Sequence, residues 1–256
     1  AGFTIAESGG STSVDESGTT DTFTVVLDAQ PAIKVVLTIS SDDTGEATVS
    51  GTLEFLPEDW DTPQTVTVTG VDENIIDGNQ SSTVTVTVVD SISDNDFHSV
   101  DDQTVSVTTT DDDVAGFTIA ESGGSTAVAE SGTTDTFTVV LDAQPTIDVV
   151  LGISSDDTGE ATTTGTLQFS PLNWDTPQTI TVTGVDDSVI DGSINSNIVI
   201  AVIDEISDDS FDSVDDQTVS VTTSDDDVAG FTIAESDGST EVAESGTTDT
   251  FTVVLD

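Results

Sequence analysis

Carboxylates are the side chains of this sequence that could do chemistry, and they occur in short clusters. Three clusters lie in the first half of the chain: Asp111, Asp112 and Asp113; Asp72, Glu73 and Asp77; and Asp42, Asp43 and Glu46. Three corresponding clusters occur in the second half of the chain: Asp225, Asp226 and Asp227; Asp186, Asp187 and Asp191; and Asp156, Asp157 and Glu160. Each cluster lies beside a strand-like stretch. Loops that follow alternate strands converge at one end of a β-sandwich, so several of these carboxylates should meet.

Carboxylates gathered in a small volume repel one another unless a cation neutralises them. Calcium suits this role because it takes about six to eight oxygen ligands from carboxylates, carbonyls and water. Zinc is not favoured, since the chain has no cysteine and a single histidine. The alternative is a solvated acidic surface without defined sites, which we favour for the scattered Asp15, Glu54 and Asp94. For the Asp111–Asp113 run, together with the loop that contains Asp72, Glu73 and Asp77, we predict bound Ca²⁺.

Catalysis is the other chemistry open to paired carboxylates, which can act as the acid and nucleophile of a glycosidase. A compact sandwich implies no cleft for such a site, and identical catalytic sites in tandem would be unusual. Other enzyme mechanisms are not favoured either, because the single histidine and the single lysine do not recur in the second copy of the repeated unit. His98 becomes Asp212 and Lys34 becomes Asp148 in the corresponding later positions. A glycine-rich phosphate loop is also missing from the sequence. We therefore expect a protein that is not an enzyme.

The overall charge narrows the classes of partner. The chain has 51 Asp and Glu against one Lys or Arg, for a formal net charge of -50. Such a chain repels nucleic acid and anionic membrane surfaces, so neither is expected as a partner. No stretch approaches the roughly 20 apolar residues of a membrane span, and we expect no membrane insertion. The complete lack of cysteine means that neither disulfides nor thiolate chemistry support the fold.

The chain is built from a repeated unit. Residues 1–114 and 115–228 align without a gap and are identical at most positions, and residues 229–256 begin a third copy. Repetition of this kind is typical of arrays whose function belongs to the unit and to its stacking. The closing QTVSVTT stretch runs through three aspartates directly into the next copy, so there is almost no linker. We therefore expect the units to follow one another end to end, with neighbouring repeats as partners.

Within each copy, apolar residues alternate with threonine and serine, which is the pattern of half-buried strands. Seven stretches of the first copy show it: Gly2–Glu7, Asp21–Asp28, Ile33–Ser40, Gly51–Leu56, Gln64–Gly70, Ser82–Val89 and Gln103–Thr110. Seven short strands separated by Gly, Asp and Pro predict an all-β, immunoglobulin-like sandwich of two sheets. The large apolar residues are expected in its core: Phe3, Phe23, Phe55, Trp60 and Phe97, with Phe117, Phe137, Phe169, Trp174 and Phe211 in the second copy.

Several of these motifs resemble Calx-beta domains, especially those in giant repetitive bacterial surface proteins. The motifs are FTIAES, the GTLEF and GTLQF strands, PQTVTVTGVDE with PQTITVTGVDD, and the closing VSVTTTDDD. The resemblance covers each full copy and implies a seven-stranded sandwich that binds calcium at the end facing the next domain. The ligands it implies are Glu7, Asp72, Glu73, Asp77, Asp111, Asp112 and Asp113 in the first copy. Those of the second are Glu121, Asp186, Asp187, Asp191, Asp225, Asp226 and Asp227, and Glu235 takes the place of Glu7 in the third.

The resemblance also implies a location and a role. We expect an extracellular or cell-surface protein in which Ca²⁺-stiffened sandwiches form the stalk of a bacterial adhesin or an extracellular fibre. The alternative is a calcium-sensing or carbohydrate-binding module whose end loops bind a ligand. Self-association, lateral or end to end, is a further expectation. Lateral contact is suggested by the stretch around Val199, which is apolar where the first copy has threonine.

Overall fold

The computed structural model describes residues 1–255 and confirms the all-β prediction. The only helices in this part of the chain are short 3-10 turns, at Ser8–Gly10, Asp90–Ile92, Asn95–Phe97, Ser122–Gly124, Asp204–Ile206 and Asp209–Phe211. No helix within residues 1–255 has the length and apolar character needed to cross a membrane. The described residues form two compact units, one of Ala1–Ala115 with Ala143–Thr146 and the other of Gly116–Asp142 with the residues from Ile147 onward.

The first unit is a sandwich of two sheets. Its strands are β1 (Phe3–Glu7), β2 (Thr12–Asp15), β3 (Thr20–Leu27), β4 (Val35–Ser41), β5 (Ala47–Val49), β6 (Thr52–Phe55), β7 (Gln64–Gly70), β8 (Gln80–Val88) and β9 (Gln103–Thr110). One sheet has the order β1-β3-β7-β5 and the other the order β2-β9-β8-β4-β6. All neighbouring strands are antiparallel except β2 and β9, which run parallel.

The second unit repeats this arrangement. Its strands are β10 (Phe117–Glu121), β11 (Thr126–Ala129), β12 (Thr134–Leu141), β13 (Val149–Ser155), β14 (Ala161–Thr163), β15 (Thr166–Phe169), β16 (Gln178–Gly184), β17 (Ile194–Val202) and β18 (Gln217–Ser224). The sheet orders are β10-β12-β16-β14 and β11-β18-β17-β13-β15. Strands β19 (Phe231–Glu235) and β20 (Phe251–Leu255) belong to the third copy and pair with each other, with Phe231 opposite Leu255.

Each repeat contains two short strands beyond the seven stretches predicted from the sequence. They are β2 and β5 in the first repeat, which are too short to display a clear alternation of apolar and polar residues. β2 exists because the chain changes sheets after β1. Gly9 and Gly10, with φ of 69° and 86°, make the turn that carries the chain across. The first strand of the predicted sandwich is therefore divided between both sheets.

The core lies between the sheets and holds the inward-facing residue of each alternating pair. Phe23, Phe55 and Phe97 are completely enclosed or nearly so, as expected. Their counterparts in the second repeat, Phe137, Phe169 and Phe211, are equally buried. Trp60 is only partly buried and packs against the edge of the core, which differs from the fully internal position expected for it.

One expectation about the acidic residues is wrong. Asp94 was expected in a solvated surface, but it is only 6% exposed. Its carboxylate accepts hydrogen bonds from the backbone N–H groups of Ala32, Ile33 and Asp96, at 2.6, 3.1 and 3.1 Å. These bonds fix the pKa of Asp94 below its ordinary value. Asp94 is therefore a structural carboxylate that ties two loops together.

Two expectations about association stay predictions. Val199 on β17 is half-buried, so its exposure neither requires nor excludes lateral contact. The β19–β20 pair of the third copy has its apolar residues on the surface, with Phe231 62% and Leu255 82% exposed. In the complete repeats the corresponding residues are buried, so this pair has not acquired the cover that a full sandwich provides.

Candidate metal centre

Two parallel strands bring the first group of carboxylates together. Glu16 directly follows β2, and Asp111 directly follows β9. In the register of these strands Asp15 lies opposite Thr110, and the Glu16 N–H donates to the Thr110 carbonyl over 3.1 Å. The segments that follow β2 and β9 therefore leave the sheet at the same edge. One carboxylate oxygen each from Glu16, Asp111 and Asp113 lies within 4.8 Å of the others.

A second group joins the first at Glu16. Glu46 precedes β5 and Glu73 follows β7, and these strands pair with Ala47 opposite Gly70. The Val71 N–H donates to the Glu46 carbonyl over 2.9 Å, which extends this pairing beyond the strand ends. One carboxylate oxygen each from Glu16, Glu46 and Glu73 again lies within 4.8 Å of the others. Glu16 is thus the residue at which the two sheets of the sandwich contribute to one acidic centre.

Several carboxylate oxygens of this centre are buried without a hydrogen-bond partner. Glu16 has an exposed fraction of 0%, and neither of its carboxylate oxygens has a hydrogen-bond partner. Buried, unpartnered oxygens also occur on Glu46, Glu73 and Asp113. Burying a charged group without a partner is strongly unfavourable, so buried charges in proteins are normally paired or bound to metal. The oxygens of this centre have the arrangement expected of ligands.

Burial and mutual repulsion change the acidity of these groups. Burial raises the pKa of Glu16 to about 7, with further contributions from the negative charges of Asp111, Glu73 and Glu46. Burial likewise raises the pKa of Glu46, of Glu73 and of Asp113, and neighbouring aspartates add to each shift. In the absence of a cation the centre therefore holds protons more tightly than ordinary carboxylates do.

The second repeat has two corresponding groups. Glu130 lies with Asp225 and Asp227, and Glu160 lies with Asp187 and Asp191, under the same 4.8 Å limit. Glu130 is 1% exposed and Glu160 is 8% exposed, and each has a buried carboxylate oxygen without a partner. Burial is again the main cause of the raised pKa of both glutamates.

The donor set fits a hard cation. All the groups that converge are carboxylates, which suit calcium, whereas zinc prefers nitrogen and sulfur ligands. The one lysine, Lys34, does not neutralise them, because it pairs with Glu54 at 2.8 Å. In the second repeat Asp148 and Gln168 occupy the positions of this pair and form a hydrogen bond of 2.6 Å instead. Within residues 1–255 no enclosed pocket is found.

The structure brings some of the predicted ligands together and leaves others apart. Those in the groups described above are Glu73, Asp111, Asp113, Asp187, Asp191, Asp225 and Asp227. Those that lie outside these groups on the flanking loops are Asp72, Asp77, Asp112, Asp186 and Asp226. The flanking aspartates are nevertheless close enough to act electrostatically. The negative charge of Asp77 raises the pKa of both Glu46 and Glu73, and that of Asp112 raises the pKa of Asp113.

The glutamates that end the first strand of each copy also lie outside the groups. Glu7 is opposite Phe23 in the β1–β3 ladder, before the chain changes sheets, and its carboxylate accepts a 2.8 Å hydrogen bond from Thr12 Oγ1. Glu121 accepts the same bond from Thr126. Glu235 accepts a hydrogen bond of 3.3 Å from Thr240. In each copy this hydrogen bond connects the two ends of the turn that follows the strand.

Sequence reasoning did not identify Glu16 and Glu130, the most deeply buried members of the centre. They lie in the repeated ESGTTDTF motif, just after the short strand that the alternation pattern did not reveal. The signal available was the recurrence of this glutamate, again as Glu244, at the start of the repeated motif. Glu46 and Glu160 were recognised as members of an acidic loop, but the family resemblance did not extend to them.

A glycine keeps the end of β2 close to the centre. A Cβ atom added to Gly70 would lie 2.1 Å from the Asp15 carbonyl oxygen, and one added to Gly184 would be equally close to the Ala129 carbonyl. Contacts this short cannot be accommodated unless the backbone shifts. The absence of a side chain at Gly70 therefore allows β2 to approach β7 and places Glu16 between the two groups.

We expect Gly70→Ala to destabilise the chain by about 1–3 kcal/mol, the usual cost of overpacking, and to weaken calcium binding by displacing Glu16. Urea denaturation and calorimetric titration with Ca²⁺ would measure the two effects. Gly51→Ala is the matched control, because a Cβ atom there meets nothing within 4 Å. Equal stability and calcium affinity in the two variants would contradict a positioning role for Gly70.

Comparison with known proteins gives a likeness of fold. No protein-family model matches the sequence, and a search of curated proteins finds no match. Calcium-binding domain CBD12 of CALX1.1 is 14% identical with a TM-score of 0.32, over 77% of this chain and 80% of that chain. CBD12 from CALX1.2 is 13% identical with a TM-score of 0.35, over 86% and 98%. Domains 4 and 5 of the S-layer protein SbsC are 15% identical with a TM-score of 0.35, over 87% and 97%. These scores are low, so we infer the function from the chain's own carboxylates.

Proposed function

We propose that this chain is a structural repeat array in which each complete repeat binds Ca²⁺ through its buried acidic centre. The observation that carries the proposal is Glu16, which is completely buried, has two unpartnered carboxylate oxygens and lies among four further carboxylates. Glu130 has the corresponding position in the second repeat. A divalent cation bound there would offset the repulsion among these groups and supply the partner that their oxygens lack.

The role proposed for the ion is mechanical rather than catalytic. Asp111 and Asp113 lie in the short segment between β9 and β10, which leads from one repeat into the next. The carboxylate of Asp111 already organises this segment by accepting hydrogen bonds from the N–H groups of Gly78, at 2.7 Å, and Asp113, at 2.9 Å. A cation held by the two aspartates would fix the segment further and so stiffen the connection between neighbouring repeats.

We place the array outside the cell, as the stalk of a bacterial surface adhesin or an extracellular fibre. Extracellular calcium modules bind their ion with dissociation constants of about 0.1–1 mM, which suits sites occupied permanently in a calcium-rich medium. The strong negative charge supports this role as well, because a net charge far from zero keeps extended arrays soluble. Neighbouring repeats, and other copies of the chain associated laterally or end to end, are the partners proposed.

Small-angle X-ray scattering tests the proposed stiffening. We expect the chain to give a longer and narrower pair-distance distribution in millimolar CaCl₂ than in a chelator, because bound calcium restricts bending between repeats. A double variant, Glu16→Gln with Glu130→Gln, is the matched control and should give the same distribution in both conditions. Dimensions of the unaltered chain that do not respond to calcium would contradict a stiffening role for the ion.

A further inference from the structure

The acidic centres of the two repeats are connected differently. In the first repeat Glu16 belongs to both groups, with Asp111 and Asp113 on one side and Glu46 and Glu73 on the other. In the second repeat, the group containing Glu130 and the group containing Glu160 have no member in common among the described residues. Five carboxylates therefore form one continuous set in the first repeat, whereas six form two separate sets in the second.

The grouped residues differ in type at one position. Glu73 of the first repeat is replaced by Asp187 in the second, while the other grouped residues are the same type at corresponding positions. Aspartate is shorter by one methylene group. In the first repeat the longer Glu73 reaches the set that contains Glu16, and in the second Asp187 lies with Glu160 and Asp191 instead.

The central glutamates also differ in the number of carboxylate oxygens that are buried without a partner. Both carboxylate oxygens of Glu16 are buried and without a hydrogen-bond partner, so the residue has one oxygen available for each of its two groups. For Glu130 only Oε2 is buried without a partner. A carboxylate with two free oxygens can coordinate two cations at once, one through each oxygen.

We propose that the first repeat binds two cations that share Glu16 as a bridging ligand, and that the second repeat binds its cations at independent sites. Glu73 is the residue that determines the difference. This inference rests on the proposed calcium binding and adds to it that the two repeats are not equivalent. Loss of the bridging carboxylate should release two ions from the first repeat, and loss of its counterpart should release one ion from the second.

Ion counting by native mass spectrometry tests this. The full chain and the two matched variants Glu16→Gln and Glu130→Gln would be measured in CaCl₂ at the lowest concentration that saturates the unaltered chain. We expect Glu16→Gln to bind two ions fewer than the unaltered chain and Glu130→Gln one ion fewer. Equal losses would overturn the inference and leave calcium binding intact. An unaltered chain that binds no calcium would instead remove the proposed function itself.

A second comparison exchanges the determining residue between the two repeats and then repeats the two glutamine substitutions. In a chain carrying Asp187→Glu, the loss caused by Glu130→Gln should rise from one ion to two. In a chain carrying Glu73→Asp, the loss caused by Glu16→Gln should fall from two ions to one. Circular dichroism would verify that each variant retains its strand content. Losses that do not follow the exchanged residue would contradict the assignment of Glu73.

Discussion

Calcium at about 100 times its dissociation constant is expected to raise the melting temperature of the ion-free chain by roughly 10 °C. A ligand that binds only the folded state at 100 times its dissociation constant stabilises that state by about 2.7 kcal/mol. For units of this size, each kcal/mol corresponds to about 4 °C. The expected effect has a physical reason: the buried oxygens of Glu16 and Glu130 are repelled by the neighbouring carboxylates, and a bound cation would remove this repulsion.

Thermal denaturation followed by circular dichroism, in chelator and in CaCl₂, is the measurement. Sodium chloride of equal ionic strength separates specific binding from general screening, because screening acts on all 51 acidic residues and does not require a site. The double variant Glu16→Gln and Glu130→Gln should melt at a higher temperature than the unaltered chain in chelator, since buried repulsion has been removed. Calcium should stabilise the double variant less than the unaltered chain, because only the separate group around Glu160 keeps all its ligands. A shift reproduced in full by sodium would contradict the acidic centres as binding sites.

The ion-free chain is also expected to become more stable, by several degrees in melting temperature, when the pH is lowered from about 8 to about 5. The pKa of Glu16 is raised from 4.5 to about 7 in the folded state. Between these values the folded state binds more protons than the unfolded state, so stability falls as the pH rises through this window. Glu46, Glu73 and Asp113 have pKa values raised in the same direction and reinforce the trend.

Stability should decline again in stronger acid. Hydrogen bonds hold the pKa of Asp21, Asp42 and Asp94 below 3.8, so their contributions are lost as the pH falls below that value. Melting curves recorded in chelator from pH 3 to pH 8 would locate the maximum. Glu16→Gln with Glu130→Gln is the control and should flatten the slope between about 5 and 7. A stability that rises steadily with pH in chelator would contradict the raised pKa of Glu16.

The strands could be predicted from the sequence because burial in a sandwich alternates along the chain. Each stretch in which valine or phenylalanine alternates with threonine became a strand, as in Gln64–Gly70. β2 could not be predicted in this way. It contains only four residues. Its partner β9 is distant in the sequence: Val14 and Thr110, which are joined by a hydrogen bond, are 96 positions apart. Short strands are fixed by tertiary pairing rather than by local pattern.

The same limit applies to the acidic centre. Clustered aspartates such as Asp111 and Asp113 are visible in a sequence because they are adjacent. Glu16 stands outside the predicted acidic clusters, beside Asp15 alone, and its importance comes from burial at the edge where β2 and β9 end together. Glu7 is the opposite case. It ends a strand, as a ligand was expected to do, but it lies outside the acidic centre because the chain crosses to the other sheet only after this residue.

The parallel pairing of β2 with β9 determines how a repeat would respond to being pulled. Tension applied through the two ends of a repeat drags these strands past each other along their length. The pairs from Thr12–Val107 to Asp15–Thr110 are then loaded in shear and must yield together, rather than opening one at a time. Glu16 and Asp111 continue the same two strands. A cation bound by both residues would therefore be a cross-link at the point where force crosses the repeat, and its removal should lower the force at which the repeat unfolds.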